Sequence, residues 1–242
     1  MSNSLAPKLL AEFIGTFALV FIGAGAASIV GGGAGLGGLS AVAFAHGLTV
    51  LVFVCAYGKV SGGHVNPAVT VGVLAAGAMT AAEAVGYIAS QIAGGITAAL
   101  LLRIVLGGVA TGLGTPELAH GLVIGGTTVT ITPASGFAIE AVLAFFLVTA
   151  VLSTAVAGRA AHLAPVAIGL TLVLNILMGG PLTGAAFNPA RALGPMIVTG
   201  NLGDAWLYGL APIVGAIIAA VVHLGLSVLT HEQPAAIAAS AE

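Results

Sequence analysis

Six long apolar runs follow one another along the chain, each close to the ~20 residues that a helix needs to cross the hydrocarbon core of a bilayer. They predict spanning helices at residues 9–30, 39–57, 82–106, 137–157, 164–178 and 205–229. Two glycine-rich loops are predicted between them, at 31–38 and at 107–136. The Ala-rich tail 233–242 has little apolar surface to bury, so it is predicted to be disordered.

Two shorter apolar stretches remain, at 66–76 and 188–198, and both begin with Asn-Pro-Ala. Asparagine is a good helix N-cap, and proline is tolerated in the first helical turn. At ~1.5 Å per residue each stretch makes a helix of roughly 16 Å, about half of the bilayer core. Backbone without regular structure is tolerated at membrane depth only inside protein or along a water-filled cavity. The loops before the half-helices are therefore predicted to line a cavity with their carbonyls: Gly62, Gly63, His64, Val65, Gly184, Ala186 and Phe187.

The chain is an internal duplication. Residues 47–72 align without gaps with 169–194, matching both Asn-Pro-Ala triplets and several glycines, and Glu12 corresponds to Glu140. Repeat one covers about 5–106 and repeat two about 137–230, within a single membrane domain, 1–242. Each repeat holds three spanning helices, an odd number, so the second repeat is inverted and the two Asn-Pro-Ala ends meet near the midplane.

Composition supports a chain that lies in lipid. Only 5% of the 242 residues are charged, against about 25% in soluble domains, and the mean hydropathy is +1.20. A net charge of −2 gives no basic surface for nucleic acid. The single cysteine, Cys55, excludes an internal disulfide. No metal, cofactor or enzymatic activity is expected. Lys8, Lys59 and Arg159 fall on one side and Arg103 on the other, which predicts cytoplasmic termini in a plasma or inner membrane.

The segment Ser-Gly-Gly-His-Val-Asn-Pro-Ala-Val-Thr at 61–70, the second Asn-Pro-Ala and the opening Ala-Glu-Phe at 11–13 resemble the aquaporin, or major intrinsic protein, family. The resemblance implies an all-α membrane protein with six transmembrane helices and two re-entrant half-helices. It also implies one pore per subunit, a homotetramer in the lipid bilayer, and a proton-excluding pore at the two boxes, formed by Asn66, Pro67, Ala68, Asn188, Pro189 and Ala190. Two ordinary helix caps are the alternative interpretation of the boxes.

The resemblance also implies a narrow outer filter. Carried over by spacing from the boxes, it consists of His46, Ile176, Ala185 and Arg191. This set is similar to that of plant tonoplast intrinsic proteins. Glycerol-conducting members usually have Asp after the arginine; here the residue is Ala192, which argues against a dedicated glycerol channel.

Two carboxylates, Glu12 and Glu140, lie inside predicted spans. Intramembrane carboxylates are often functional, and a proton relay is one interpretation. Symmetric placement favours a structural role in which each accepts hydrogen bonds from a re-entrant loop. The chain is thus interpreted as a passive channel for water, with ammonia and other small neutral solutes as further candidates. The alternatives are a glycerol-type facilitator and, from a different class, a secondary transporter with broken helices.

Overall fold

The computed structural model describes residues 4–30 and 35–229, and six long apolar helices form its frame. Each is long and apolar enough to cross a membrane, as predicted. The helices are α1 (Leu5–Ile29), α2 (Gly35–Ser61), α3 (Pro67–Ala75), α4 (Ala81–Val105), α5 (Pro133–Val156), α6 (Ala164–Thr183), α7 (Pro189–Thr199) and α8 (Ala205–Leu229). The short helices α3 and α7 are the two predicted half-helices. The predicted disordered tail lies outside the described residues.

Several predicted helix ends differ from the structure by about four residues: α1 begins at Leu5 instead of 9, α2 covers Gly35–Ser61 instead of 39–57, and α5 begins at Pro133 instead of 137. Part of the predicted loop 31–38 is therefore helical. The end predicted for α6 at 178 is also wrong. The sequence Gly-Gly-Pro at 179–181 signals a helix end, yet α6 continues to Thr183. Pro181 gives up its own backbone hydrogen bond, yet Leu182 and Thr183 after it remain helical. It ends at Gly184, which takes the left-handed conformation (φ 77°) typical of a helix C-terminus.

The loop 107–136 contains regular structure that its composition did not predict. A 3₁₀ turn covers Gly112–Gly114, and β1 (Leu122–Ile124) pairs antiparallel with β2 (Thr127–Val129). Gly125 and Gly126 connect the strands, both with positive φ, as a two-residue hairpin requires. Over the residues that the structure describes, the fold is therefore helical with one small hairpin.

The recurring glycines of the duplication mark the close contacts between the repeats. Gly47 on α2 and Gly169 on α6 are repeat mates that face each other: a Cβ on Gly47 would lie 2.5 Å from the Gly169 carbonyl oxygen, and one on Gly169 would lie 2.7 Å from the Gly47 oxygen. The mates Gly94 and Gly215 each pack on the backbone of the first helix of their own repeat. Small residues allow such close helix crossings in lipid.

The half-helices interlock the two repeats. Half-helix α3 belongs to repeat one but packs against α8 of repeat two, and α7 of repeat two packs against α4 of repeat one. One close crossing is between Gly95 and Gly194, where a Cβ on Gly194 would lie 2.6 Å from the Gly95 carbonyl carbon. Both half-helices thus begin in the middle of the bundle, where their N-terminal ends face each other.

The first helix of each repeat contains a π-helical turn. In α1 it covers Leu19–Ala24, and in α5 it covers Val151–Val156. A π turn adds a residue to the helical repeat and is often found at functional sites. Leu19 and Val151, the first residues of the two turns, both line the central cavity.

Candidate pore

Three cavities run in line through the bundle. The cavity at one end is called the outer vestibule, and the cavity at the other end the inner vestibule. Arg191 lines both the outer vestibule and the central cavity, while Gly62 and His64 line both the central cavity and the inner vestibule. The room for the centre of a water molecule is about 330 Å³ in the outer vestibule and about 380 Å³ in the inner one, but only about 20 Å³ between them. One water needs about 10–15 Å³ by this measure, so the central passage has room for only one or two waters.

One wall of the central cavity is formed by the two re-entrant loops. Their backbone repeats the same unusual pattern: Gly62, Gly63 and Val65 have φ of 90°, 63° and 44°, and their mates Gly184, Ala185 and Phe187 have 77°, 43° and 31°. Such positive φ values are costly for residues other than glycine, so the surrounding structure must hold the loops in place. The described residues give no hydrogen bond to the carbonyl oxygens of Gly62, Gly63 and His64, nor to those of Gly184, Ala185 and Ala186.

The opposite wall of the cavity is apolar. Its side chains come from the first two helices of each repeat and from α3: Leu19, Val50, Val69, Leu147, Val151, Ile168 and Leu172. A solute in this cavity has hydrogen-bond acceptors on one side only.

Asn66 and Asn188 join the two half-helices at the centre. Each side-chain oxygen caps its own helix, accepting from the N–H of Ala68 (2.8 Å) in one case and of Ala190 and Arg191 (both 3.1 Å) in the other. Each side-chain nitrogen donates to a carbonyl of the opposite loop: Asn66 to Phe187 (3.0 Å), and Asn188 to Val65 (2.9 Å). Since an amide has two N–H groups, each asparagine retains one for a solute in the cavity. The first-turn residues Pro67, Ala68, Pro189 and Ala190 are buried.

Two buried glutamates support the re-entrant loops. Glu12 accepts from the N–H groups of His64 (2.9 Å) and Val65 (2.7 Å). Glu140 does the same for the mates of those residues, Ala186 (3.0 Å) and Phe187. These bonds satisfy loop N–H groups that lipid could not satisfy, and they hold the strained backbone in place.

Sequence reasoning missed the polar residues that complete this support. Ser61 donates to Glu12 and its mate Thr183 donates to Glu140, both at 2.6 Å. The hydroxyls of Tyr87 and Tyr208 donate to the carbonyls of Ser61 (2.8 Å) and Thr183 (2.6 Å). The duplication was the available signal, because Ser61 aligns with Thr183 and Tyr87 aligns with Tyr208. Gln91 gives Glu12 a fourth hydrogen bond (2.7 Å), and it has no such signal because its mate is Pro212.

The outer constriction is built on Arg191, which is buried in the first turn of α7. Its Nη1 donates to the carbonyl of Gly114 in the long loop (2.8 Å), and its Nε donates to Nε2 of His46 (3.3 Å). The other ring nitrogen of His46, Nδ1, lies 2.9 Å from the Val42 carbonyl, so it must carry the proton. His46 is therefore held as the neutral Nδ1–H tautomer, and its two nitrogens are both occupied.

The structure places the remaining predicted filter residues on either side of this pair. Ala185 lines the central cavity together with His46 and Arg191. Ile176 lines the outer vestibule, where Arg191 is also exposed to the cavity. Gly114 was not predicted, because a backbone carbonyl has no signature in the sequence. Among the described residues, no group of three or more His, Cys, Asp or Glu side chains could hold a metal ion.

Residues 1–223 match the family model described as major intrinsic protein. The chain belongs to the major intrinsic protein family. Its relatives include "Aquaporin TIP4-4" of Zea mays, 42% identical over 225 residues, which are 90% of this chain and 85% of the relative. Another is "Aquaporin NIP1-2" of Oryza sativa subsp. japonica, 38% identical over 88% of this chain and 69% of the relative. An aquaglyceroporin structure from Plasmodium falciparum has a TM-score of 0.75 at 21% identity, covering 95% of this chain and 100% of that one, and shows the same fold.

Membership of the major intrinsic protein family indicates the general function of the chain. The chain is an integral, multi-pass membrane protein that forms a passive channel for water or small solutes, and it is not an enzyme. The three cavities in line are the candidate pore of this channel.

Proposed function

We propose that the chain is a homotetrameric water channel of the cell membrane, with both termini in the cytoplasm, that also conducts ammonia. The observation that carries the choice of solute is the outer constriction. Its polar wall consists of Arg191 and a neutral His46, whereas Ala185 and Ile176 contribute no hydrogen-bonding side chain. A filter with one polar and one apolar wall is wider than one with donors on both sides, and a solute needs fewer hydrogen bonds to pass it. Such a filter suits a small neutral solute.

Water passes along the wall of unpaired carbonyls. The oxygens of Gly62, Gly63 and His64 on one side of the midplane and of their mates on the other accept hydrogen bonds from its O–H groups, and the free N–H groups of Asn66 and Asn188 donate to its oxygen. A water at the midplane therefore directs its protons away from the centre on both sides, which interrupts a proton wire. The two half-helix N-termini, each equivalent to roughly half a positive charge, and the Arg191 guanidinium together repel cations.

The glycerol facilitator is less well supported. The residue after the arginine, Ala192, is fully buried in a cluster with Leu118, Met196 and Leu207, and it does not face the pore. The likeness to an aquaglyceroporin concerns the fold alone. Glycerol flux well above that of protein-free vesicles would favour this alternative.

A secondary transporter with broken helices is disfavoured by the state of the two buried carboxylates. A coupling site must release and rebind an ion, but Glu12 has four hydrogen-bond donors and Glu140 has three, all from the loops or the helices that support them. Opening either site would unseat a loop that forms the pore wall. We therefore assign both carboxylates a structural role.

The test is a permeability panel on purified protein in proteoliposomes. Stopped-flow shrinkage measures water, urea and glycerol, and internal alkalinisation measures ammonia. The proposal expects water and ammonia fluxes well above protein-free vesicles, with water flux unchanged by a proton or sodium gradient and ammonia flux unchanged by a sodium gradient. Ile176→His, which adds a donor to the apolar wall, is expected to reduce ammonia flux while water flux remains. Ammonia flux no higher than in empty vesicles refutes the solute, and dependence of water flux on a proton or sodium gradient refutes the passive mechanism.

Assembly and orientation need separate measurements. Leu48, Val52, Leu170 and Leu174 are exposed on the outer surfaces of α2 and α6, and they need lipid or neighbouring subunits as cover. Native mass spectrometry is expected to give four copies. Labelling of Lys8 from the cytoplasmic side of oriented vesicles is expected, and labelling from the other side only would invert the proposed topology.

A further inference from the structure

Gly23, in the π turn of α1, lies directly behind the His46 ring. A Cβ placed on Gly23 would lie 2.5 Å from Cδ2, 2.6 Å from Nε2 and 2.7 Å from Cγ of that imidazole. Its three nearest neighbours are thus all atoms of one ring. Separations under about 3.0 Å do not occur between packed carbon atoms, so a side chain at position 23 forces the ring to move.

The ring has little freedom to yield in place. Its Nδ1 is bonded to the Val42 carbonyl of its own helix, and its Nε2 accepts from Arg191. His46 has the central cavity on one side and Gly23 behind it. A displacement away from α1 therefore moves the ring into a passage that has only about 20 Å³ of room for water.

The inverted repeat provides an internal comparison. The mate of Gly23 in α5 is Val151, and the mate of His46 in α6 is Ile168; both of these aliphatic side chains line the cavity on the other side of the midplane. There, two medium-sized side chains share the wall. At the outer end, the His46 ring takes the space of both side chains, because Gly23 has none.

We propose that Gly23 is a positioning residue that sets the width of the outer constriction. By having no side chain it lets the His46 imidazole withdraw into the wall, while both ring nitrogens remain bonded. The inference rests on the proposed filter role of His46, but not on ammonia as the solute.

The test is a double-mutant cycle measured with water. Gly23→Ala is expected to lower water permeability per channel about tenfold, which corresponds to ~1.4 kcal/mol of overpacking. In the His46→Ala background the ring is absent, so adding Gly23→Ala is expected to change permeability by less than about twofold. The control is Gly25→Ala, two residues along the same helix, where the new Cβ meets only the flexible end of Leu102 at 3.1 Å. It is expected to conduct like wild type.

Each outcome decides the question. Wild-type permeability in Gly23→Ala overturns the proposal, and so does an equal loss of conduction or of folded protein with and without His46. An equal loss in Gly25→Ala also overturns it, because the helix is then simply intolerant of alanine. If Gly23→Ala yields folded protein only when His46 is removed, the contact is confirmed. Absence of ammonia flux in wild type would refute the proposed solute and leave this cycle unaffected.

Discussion

Glu12→Gln tests whether a carboxylate holds the first re-entrant loop. Its two oxygens face four donors at 2.6–2.9 Å, two of them backbone N–H groups of the loop and the others on Ser61 and Gln91. A glutamine of the same shape must turn an NH₂ toward one of the two oxygen positions. The Ser61 hydroxyl can rotate to accept from it, and so can the Gln91 side-chain oxygen, which has no partner among the described residues. A backbone N–H cannot, so either His64 or Val65 is left facing a donor.

The cost follows from the hydrogen bonds. A bond to a charged group contributes about 1.5–3 kcal/mol and a neutral one about 0.5–1.5, so each of three surviving bonds loses about 1 kcal/mol. The fourth donor is left unsatisfied at about 1–3 kcal/mol. Relief of the desolvation of a buried charge offsets part of this sum. We expect a net loss of roughly 3 kcal/mol, which lowers the unfolding temperature by roughly 6–12 °C.

Unfolding of the purified protein can be followed through Trp206, the only tryptophan in the sequence, alongside water permeability. The matched control is Glu83→Gln. Glu83 makes a part-exposed ion pair with Lys8 at 2.8 Å and completes a capping box with Thr80. A glutamine can take the place of the glutamate in such a capping box. It is expected to cost no more than about 1 kcal/mol. Equal unfolding temperatures and equal permeability for Glu12→Gln and wild type would refute the support role.

Three further predictions concern the constriction and the helix contacts. Arg191→Val is expected to raise urea permeability about tenfold by removing the side chain that closes the outer mouth; unchanged urea swelling would show that another residue limits solute size. Gly47→Ala places a Cβ against the Gly169 carbonyl and is expected to cost roughly 2 kcal/mol in thermal unfolding. Gly58→Ala is its control, because its Cβ meets only an ordinary contact at 3.8 Å, so a cost as large as that of Gly47→Ala would contradict the argument. Tyr208→Phe removes one buried hydrogen bond and is expected to lower stability by about 1 kcal/mol with conduction retained, and loss of conduction without loss of stability would be unexpected.

The frame of this channel could be predicted because its signals are long and doubled. Each spanning helix is an apolar run of bilayer length, and the half-helices are recognisable as runs of half that length with a cap at one end. The duplication then dictates the inversion by a count of helices. Local exceptions escape such reasoning, as α6 shows by continuing through Pro181 to Thr183, although proline is a strong signal for a helix end.

The support and the filter could be predicted only where side chains carry the signal. Glu12 and Glu140 are conspicuous because a charge in an apolar run is rare. The partner that holds Arg191 from outside, Gly114, contributes only a carbonyl, and the loop 107–136 has no counterpart in the duplication to align with. Gly23 is one of 37 glycines, and nothing in its neighbourhood along the chain indicates a histidine ring behind it.

The duplication also explains where selectivity must arise. Most of what holds the loops is matched between repeats: the glutamates, the hydroxyls of Ser61 and Thr183, and the two tyrosines. Gln91, whose mate is Pro212, is the exception. A strictly symmetric pore would present the same opening at both ends. The aligned residues differ at the outer constriction: the repeat mate of Arg191 is Val69, and the repeat mate of His46 is Ile168. Substitutions at matched positions should therefore affect stability in both repeats alike, whereas substitutions at the unmatched ones should change which solutes pass.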